Sequence, residues 1–436
     1  MAVSGRVPLA LLAGLAPLAF YPAGVLVLVW TAAVLLAVAA DLVLAVSPRA
    51  LEVRRELPGS VRLSEPGASS VTVANPTRRT ARIVFRDAWP PSAGVAPGAD
   101  RHAARIPPGE SRRGRTELFP SRRGDLTAGA VTVRSFGPLR LAARQRSRPA
   151  PGRLRVLPEF RSRKHLPYRL ARLRELDGRA AVQVRGQGTE FDSLREYQIG
   201  DDVRSIDWRA TARGERVVVR TWRPERDRRV VIVLDTSRWA AGRVLDQTRL
   251  DAGIEASLLL GALAAASGDR VDVIAADRRV RARTGSTVGH AAVAEISDAL
   301  APVEASLVEA DWPFIAAAVR RTVRQRALLV LITSTDPALV EEGLAGVLGA
   351  LTRRHAVMVA TVRDPEEAQL REAAARPSAD SDAAYDAAAS ERRELALAAM
   401  EGSLKSLGAH VVAATPEALA PAVADGYLAL KAAGQL

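Results

Sequence analysis

The sequence predicts an α/β protein: a mainly parallel sheet flanked by helices, preceded by a β-sandwich-like module and an N-terminal transmembrane helical hairpin. Three observations predict it. Two uncharged apolar runs, Val7–Phe20 and Ala23–Ala40, open the chain. Short alternating runs with Pro-Gly and Asn-Pro turns fill residues 50–145. From Val230 onward, apolar strands alternate with helical stretches, the pattern of a sheet covered on both faces.

The second apolar run has 18 residues, enough to span a bilayer with little slack, since a span needs about 20. The first is shorter and holds Pro8, Gly14 and Pro17. It crosses only as half of a hairpin turning at Tyr21-Pro22, each segment satisfying its own backbone hydrogen bonds. Arg6 lies before the hairpin, and Arg49, Arg54 and Arg55 lie after it. The positive-inside rule therefore puts both ends in the cytoplasm, on a plasma-membrane anchor. A cleaved signal peptide is the competing reading, and the second run, which follows directly, speaks against it.

Residues 49–150 form the sandwich module. Its expected strands are Leu51–Leu57, Ser70–Ala74, Ala81–Phe85, Arg113–Leu118, Ala130–Val133 and Leu139–Ala143. Pro58-Gly59, Pro66-Gly67, Asn75-Pro76 and Pro108-Gly109 mark turns between them. Arg146–Gly152 reads as a linker. Residues 151–228 hold a basic helix, Tyr168–Leu176, and a charged, aromatic-rich stretch.

The α/β domain occupies residues 229–436. Its expected strands are Val230–Leu234, Arg270–Ala275 with Arg279–Arg283 paired beside it, Leu328–Ile332, His355–Val362 and Val411–Ala413. Its expected helices are Leu250–Ala266, Val288–Leu300, Phe314–Val323, Ala338–Leu351, Ser390–Leu407 and Pro416–Ala433. Between Glu366 and Ala388 the composition turns to Ala, Asp, Ser and Arg, and a mobile helix-loop excursion is expected.

Composition narrows the function. With no cysteine among 436 residues, disulfides, thiolate metal sites and thiol nucleophiles are excluded. The net charge of +14 is carried almost wholly by Arg. It favours an anionic lipid surface over nucleic acid, because no basic helix is interleaved with aromatics. No P-loop, HExxH or G-x-S-x-G pattern occurs.

Ligands of open α/β sheets bind at the carboxyl ends of strands. Two such ends carry oxygen donors: Asp235-Thr236-Ser237-Arg238-Trp239 and Thr333-Ser334-Thr335-Asp336. Hydroxyls and carboxylates on neighbouring tips suit Mg²⁺. Upstream, Arg195, Arg204, Arg209 and Arg213 alternate with Glu190, Asp192, Glu196, Asp201, Asp202 and Asp207. Tyr197, Trp208 and Trp222 are interleaved. This stretch is expected to be an ion-pair latch against the α/β domain, its arginines stacked on aromatics. An acid/base pair is the alternative, but no two carboxylates are set apart by their surroundings.

Asp235-x-Ser237 at the end of an apolar strand resembles the start of the metal-ion-dependent adhesion site of von Willebrand factor A domains, Asp-x-Ser-x-Ser. The longer stretch EFDSLREYQIGDDVRSIDWRATAR, Glu190 to Arg213, closely resembles the signature of the bacterial family called domain of unknown function 58. The resemblance covers nearly the whole chain. It implies a membrane hairpin, a β-rich segment and a von Willebrand A-like, Rossmann-type domain, often encoded near MoxR-type AAA+ ATPases. Carried over, Asp235 and Ser237 match the metal motif, Trp239 replaces its second serine, and Asp336 stands for the last carboxylate. Glu309-Ala310-Asp311 lies where a second-loop threonine belongs. The motif is thus degenerate, with Trp239 as an exposed aromatic anchor for a partner.

The expected function is that of a non-enzymatic, membrane-anchored adaptor or assembly factor working with a MoxR-type ATPase. Two alternatives stand beside it: a metal-dependent hydrolase using Asp235 and Asp336, and charge-driven nucleic-acid binding.

Overall fold

The computed structural model describes residues 2–14, 16, 24–183, 190–199, 201–214, 216–223, 228–289, 291–374 and 381–436, with the backbone alone at 177–183, 190–193, 221–223 and 374. They form two compact units, Met1–Glu159 and Phe160–Leu436.

In the first unit, β1 (Ala2–Val3), α1 (Arg6–Ala13) and α2 (Gly24–Leu44) precede ten strands. These are β2 (Glu52–Glu56), β3 (Ser60–Arg62), β4 (Gly67–Ala74), β5 (Ala81–Asp87), β6 (Arg101–Ile106), β7 (Ser111–Leu118), β8 (Gly124–Thr127), β9 (Val131–Phe136), β10 (Ala142–Arg148) and β11 (Arg153–Leu157). They build sheets β1-β10-β9-β5-β6, β2-β4-β7 and β3-β11-β8. Alternation sets the core: Val71 and Val73 of β4 pack with Ile83 and Phe85 of β5 and with Val131 and Val133 of β9. Their neighbours along each strand face outward. β6, absent from the expectation, covers Arg101–Ile106, where only Ile106 is fully buried and no apolar alternation marks a strand.

The expected linker Arg146–Gly152 is instead part of the sandwich. β10 runs to Arg148, the Ala150 carbonyl accepts a hydrogen bond from Arg55, and Gly152 accepts from Ala128. Arg55 is itself buried against Asp87 at 2.5 Å, so its remaining donors need acceptors, and the returning chain supplies one.

Among the described residues, α2 is the one helix long and apolar enough to cross a membrane. The described part of the first run is α1, eight residues, too short to span by itself. The turn at Tyr21-Pro22 lies outside the described residues. Both ends of the apolar segment nevertheless return to one place. Ser4 donates its amide to Leu141 O at 2.9 Å, and Asp41 near the end of α2 accepts the amides of Leu139, Leu141 and Ala142 at 2.7–3.0 Å. Asp41 is buried and extends α2 beyond the apolar run ending at Ala40.

The second unit opens with α3 (Leu166–Gln183), then β12 (Glu190–Glu196), α4 (Trp208–Thr211) and β13 (Val218–Arg223), with β12 and β13 an antiparallel pair. Next come β14 (Arg229–Asp235), the short pair β15 (Arg243–Val244) and β16 (Gln247–Thr248), α5 (Arg249–Ala266), β17 (Arg270–Ala276) and β18 (Val280–Arg283). Then follow α6 (Ala291–Leu300), α7 (Trp312–Thr322), β19 (Leu328–Ile332), α8 (Pro337–Leu339), α9 (Ala345–Thr352) and β20 (Ala356–Val362). The chain closes with α10 (Pro365–Ala374), α11 (Ser381–Ser406), β21 (Ala409–Ala414) and α12 (Pro416–Ala432).

One six-stranded sheet, β18-β17-β14-β19-β20-β21, organises this unit. Its pairings are parallel except that of the edge strand β18. β14 is covered on both faces. Val230, Ile232 and Leu234 join the core under α5 and α12, whereas Val231 and Val233 join the core under α7 and α9. That two-sided burial explains its unbroken apolar sequence. The expected mobile excursion contains α10 and the start of α11, which pack together: Arg393 pairs with Glu367, and Ser390 donates to the Glu367 carbonyl. Residues 375–380 lie outside the described residues.

Candidate functional site

The crossover from β14 through α5 places β17 on one side of β14, and the chain later returns to put β19 on its other side. Loops leaving β14 and β19 therefore diverge, and a crevice opens between their carboxyl ends. Asp235 ends β14 and Thr333 follows β19, so both project into it.

Asp235 is buried. Its Oδ1 accepts the Ser237 amide at 2.8 Å, and its Oδ2 accepts the Thr333 hydroxyl at 2.6 Å. Burial pushes its carboxyl above the ordinary range, against the pull of the Thr333 and Ser237 hydrogen bonds. The nearby Asp277 charge pushes the same way as burial.

Asp277, just past β17, was not singled out by the sequence reading. It gathers Thr236 Oγ1 at 3.0 Å, Ser306 Oγ at 2.6 Å and Arg281 Nε at 2.6 Å. The Arg279 amide adds a bond at 3.1 Å. Burial alone would raise its carboxyl, but hydrogen bonds from Ser306, Arg281, Arg279 and Thr236 outweigh it and hold the value to about 2. The signal was present: a carboxylate following an apolar strand, as at Asp235.

A cleft of about 130 Å³ joins Asp235 and Ser237 to Thr333, Ser334, Glu309 and Glu342. Glu309 reaches it from the expected second loop and pairs with Arg238 at 2.5 Å. Asp311 is occupied elsewhere, capping α7 through the Phe314 amide. Glu342 comes from a π-helical stretch, Val340–Leu344, that interrupts the expected helix Ala338–Leu351.

Asp336 does not line this cleft. Its carboxylate accepts the Ala338 amide at the start of α8, and it borders a separate pocket of about 350 Å³. The expected set Asp235, Ser237 and Asp336 is thus divided between two cavities. Among the described residues no group of three His, Asp or Glu side chains is placed to hold a metal ion. The residues that do meet Asp235 and Ser237 are two hydroxyls and two outlying glutamates, a weaker donor set for Mg²⁺ than the motif implies.

Trp239 borders the larger pocket. It is half-buried rather than the exposed anchor expected, because its ring packs against the core on the α5 side of the sheet. The Arg249 guanidinium lies 5.6 Å from the ring centroid.

Among the described side chains, the ion pairs of the signature stretch join its own residues rather than the sheet. Arg195 pairs with Asp201, Arg216 with Glu196, and Arg220 with Asp207, all within residues 195–220. Asp202 caps a short turn through the Arg204 amide. Asp207 caps α4 through the Arg209 and Ala210 amides. The Ala210 amide and Arg220 hold the Asp207 carboxyl below its ordinary range. Short spacing explains the outcome: each acid has an arginine or an open amide within its own hairpin. Trp208 is 68% exposed, and Arg204, Arg209 and Arg213 are exposed beside it. Tyr197 is half-buried, its amide bonded to Val217 O. The side chains of Glu190, Asp192 and Trp222 lie outside the described residues.

Uncharacterized protein Rv1480 of Mycobacterium tuberculosis and uncharacterized protein Mb1516 of Mycobacterium bovis are each 30% identical to the chain over 191 residues. The match covers 43% of this chain and 59% of each relative, so the chain spans about three-fifths of the length of the curated relatives it matches. A CARDB domain from Pyrococcus furiosus, solved in complex with di-metal ions, is 13% identical with a TM-score of 0.19. It covers 24% of this chain and 91% of its own length, and similarity at that score carries no argument about fold or metal binding. Residues 193–394 match the model of the family described as protein of unknown function DUF58. That segment holds the signature hairpin and the carboxyl ends of β14, β19 and β20, and its match agrees with the family resemblance that the signature carries.

Proposed function

We propose that this protein is a membrane-anchored adaptor or assembly factor that binds a protein partner at the strand-tip face of a von Willebrand A-like domain. A MoxR-type AAA+ ATPase would act with it, and both units would face the cytoplasm. One observation carries the reading. The strand order, with a single antiparallel edge strand, puts Asp235-x-Ser237 and the Thr333–Asp336 loop side by side at the switch point, where such domains engage partners. α2 supports the anchor by its length and apolarity, and Arg6 with Arg49, Arg54 and Arg55 supports the orientation.

The test is photocrosslinking in the native membrane, from a photoreactive residue at exposed Arg238 and, as control, at exposed Arg326 near the opposite ends of the strands. Capture of an AAA+ ATPase or its client from position 238 and not from 326 is expected. Failure to capture either from position 238 would overturn the reading.

A further inference from the structure

The larger pocket, about 350 Å³, lies over the carboxyl ends of β19 and β20 and contains four arginines. Three have acidic partners. Arg363 pairs with Glu394 and Glu401, Arg371 approaches Glu391, and Arg393 pairs with Glu367. Arg249 differs. Among the described residues no carboxylate lies within ion-pair distance of it, and its Nε is buried without an acceptor. The acids whose charge reaches it, Asp364 and Asp336, already accept the amides of Glu366 and Ala338.

The location is costly for a cation on two counts. Arg249 is the first residue of α5, at the positive end of that helix dipole. It is also half-buried, and desolvation lowers its pKa. The guanidinium is nevertheless held in place. Trp239 lies beside it at 5.6 Å, and Gly242 leaves the space it fills: a Cβ at Gly242 would meet Arg249 Nη1 at 2.3 Å. A fixed, desolvated guanidinium facing a cavity is a preformed seat for a planar anion. The pocket's own acids, Asp336, Asp364, Glu367 and Glu394, oppose a polyanion such as phosphate and leave room for a single charge.

We infer that the Trp239–Arg249 pocket binds one carboxylate of a partner polypeptide, either an acidic side chain or a C-terminus, without a metal ion. The inference rests on the reading of the strand-tip face as the partner-binding face. Arg249 supplies a two-pronged hydrogen bond, and Trp239 supplies an apolar wall for the chain beside the carboxylate.

The test uses the full chain in detergent and three decapeptides of Gly, Ser and Leu, each labelled at its N-terminus with an uncharged boron-dipyrromethene dye. One carries an internal Glu and an amidated end, one an internal Gln and a free C-terminal carboxylate, and one neither charge. Fluorescence anisotropy is expected to show binding of one carboxylate peptide, and which one identifies the source. Arg249→Met should weaken that binding at least about tenfold while leaving the melting temperature equal or higher. Arg249→Lys, which keeps the charge and loses the fork, should weaken it less. Equal binding of all three peptides, no binding of any, or undiminished binding by Arg249→Met overturns the inference. If an ATPase or client is still captured from position 238 in those cases, the inference alone has failed; if capture fails too, the underlying reading has failed.

Discussion

Thr333 donates its hydroxyl to Asp235 at 2.6 Å, tying the ends of two neighbouring parallel strands across the crevice of the sheet. The bond stabilises a carboxylate that burial disfavours, and it does not fully compensate: the Asp235 carboxyl remains above its ordinary range. Between the unfolded value and the raised folded value, the native state holds a proton that the unfolded chain has released. Stability therefore falls as pH rises through that window and stays lower above it. Asp235→Asn is expected to raise the melting temperature at pH 7 by about 2–4 °C, with a smaller gain near pH 4. Thermal melts of both proteins at the two pH values would decide it, and a lower melting temperature for the variant at pH 7 would count against the assignment.

Asp277 runs the opposite way. Its folded value of about 2 lies below that of an unfolded aspartate, so its contribution is complete above about pH 4 and is lost as pH falls toward 2. Asp277→Asn should cost about 2 kcal/mol at neutral pH and almost nothing near pH 2. Chemical denaturation at both pH values checks this. A constant difference would mean that the loss comes from packing alone.

Asp41 joins the apolar helix to the sandwich. Its carboxylate accepts three backbone amides from the segment between β9 and β10. Asp41→Ala would leave those amides without their acceptor, at a cost of about 3 kcal/mol. Limited proteolysis near residues 137–142 should accelerate, with the second unit's melting unchanged. Unaltered cleavage would show that water or neighbouring groups replace the carboxylate.

Both Asp235 oxygens are already engaged, and Asp336 sits in a different pocket. Mg²⁺ at about 10 mM is therefore expected to shift the melting temperature by less than about 1 °C. A rise of several degrees that Asp235→Ala abolishes would restore the metal-dependent reading.

The signature residues offer a separation of stability from binding. Trp208→Ala, alone or with Arg204→Ala and Arg209→Ala, should change stability by no more than about 0.5 kcal/mol, because all three side chains are exposed. A loss of several kcal/mol would show that the stretch is a structural brace after all. Reduced photocapture of a partner with unchanged stability would mark it as part of the docking surface.

The sequence by itself determined the second unit's layered α/β plan. Fully apolar runs such as Val230–Leu234 and Leu328–Ile332 have one stable use, a strand covered on both faces, and the helices between them require parallel crossovers. It also determined the sandwich strands that alternate cleanly, and the membrane-length helix. β6 escaped because Arg101–Ile106 has only one large apolar residue, Ile106, and so shows no apolar alternation, yet it still pairs through its backbone. Arg146–Gly152 escaped because prolines mark a linker and a strand end alike. At the site, chain order brought Asp235 and Ser237 to one strand tip, and that much was legible. Only the tertiary structure decided that Asp336 turns to cap α8, that Thr333 takes the Asp235 oxygen, and that Arg249 fills the space beside Trp239 and Gly242. The physical reason is common to all three. A polar side chain at a loop takes whichever donor, acceptor or space the packed chain leaves within reach, and the sequence alone does not say whether that is two residues away, as for Asp336 and Ala338, or 98, as for Thr333 and Asp235.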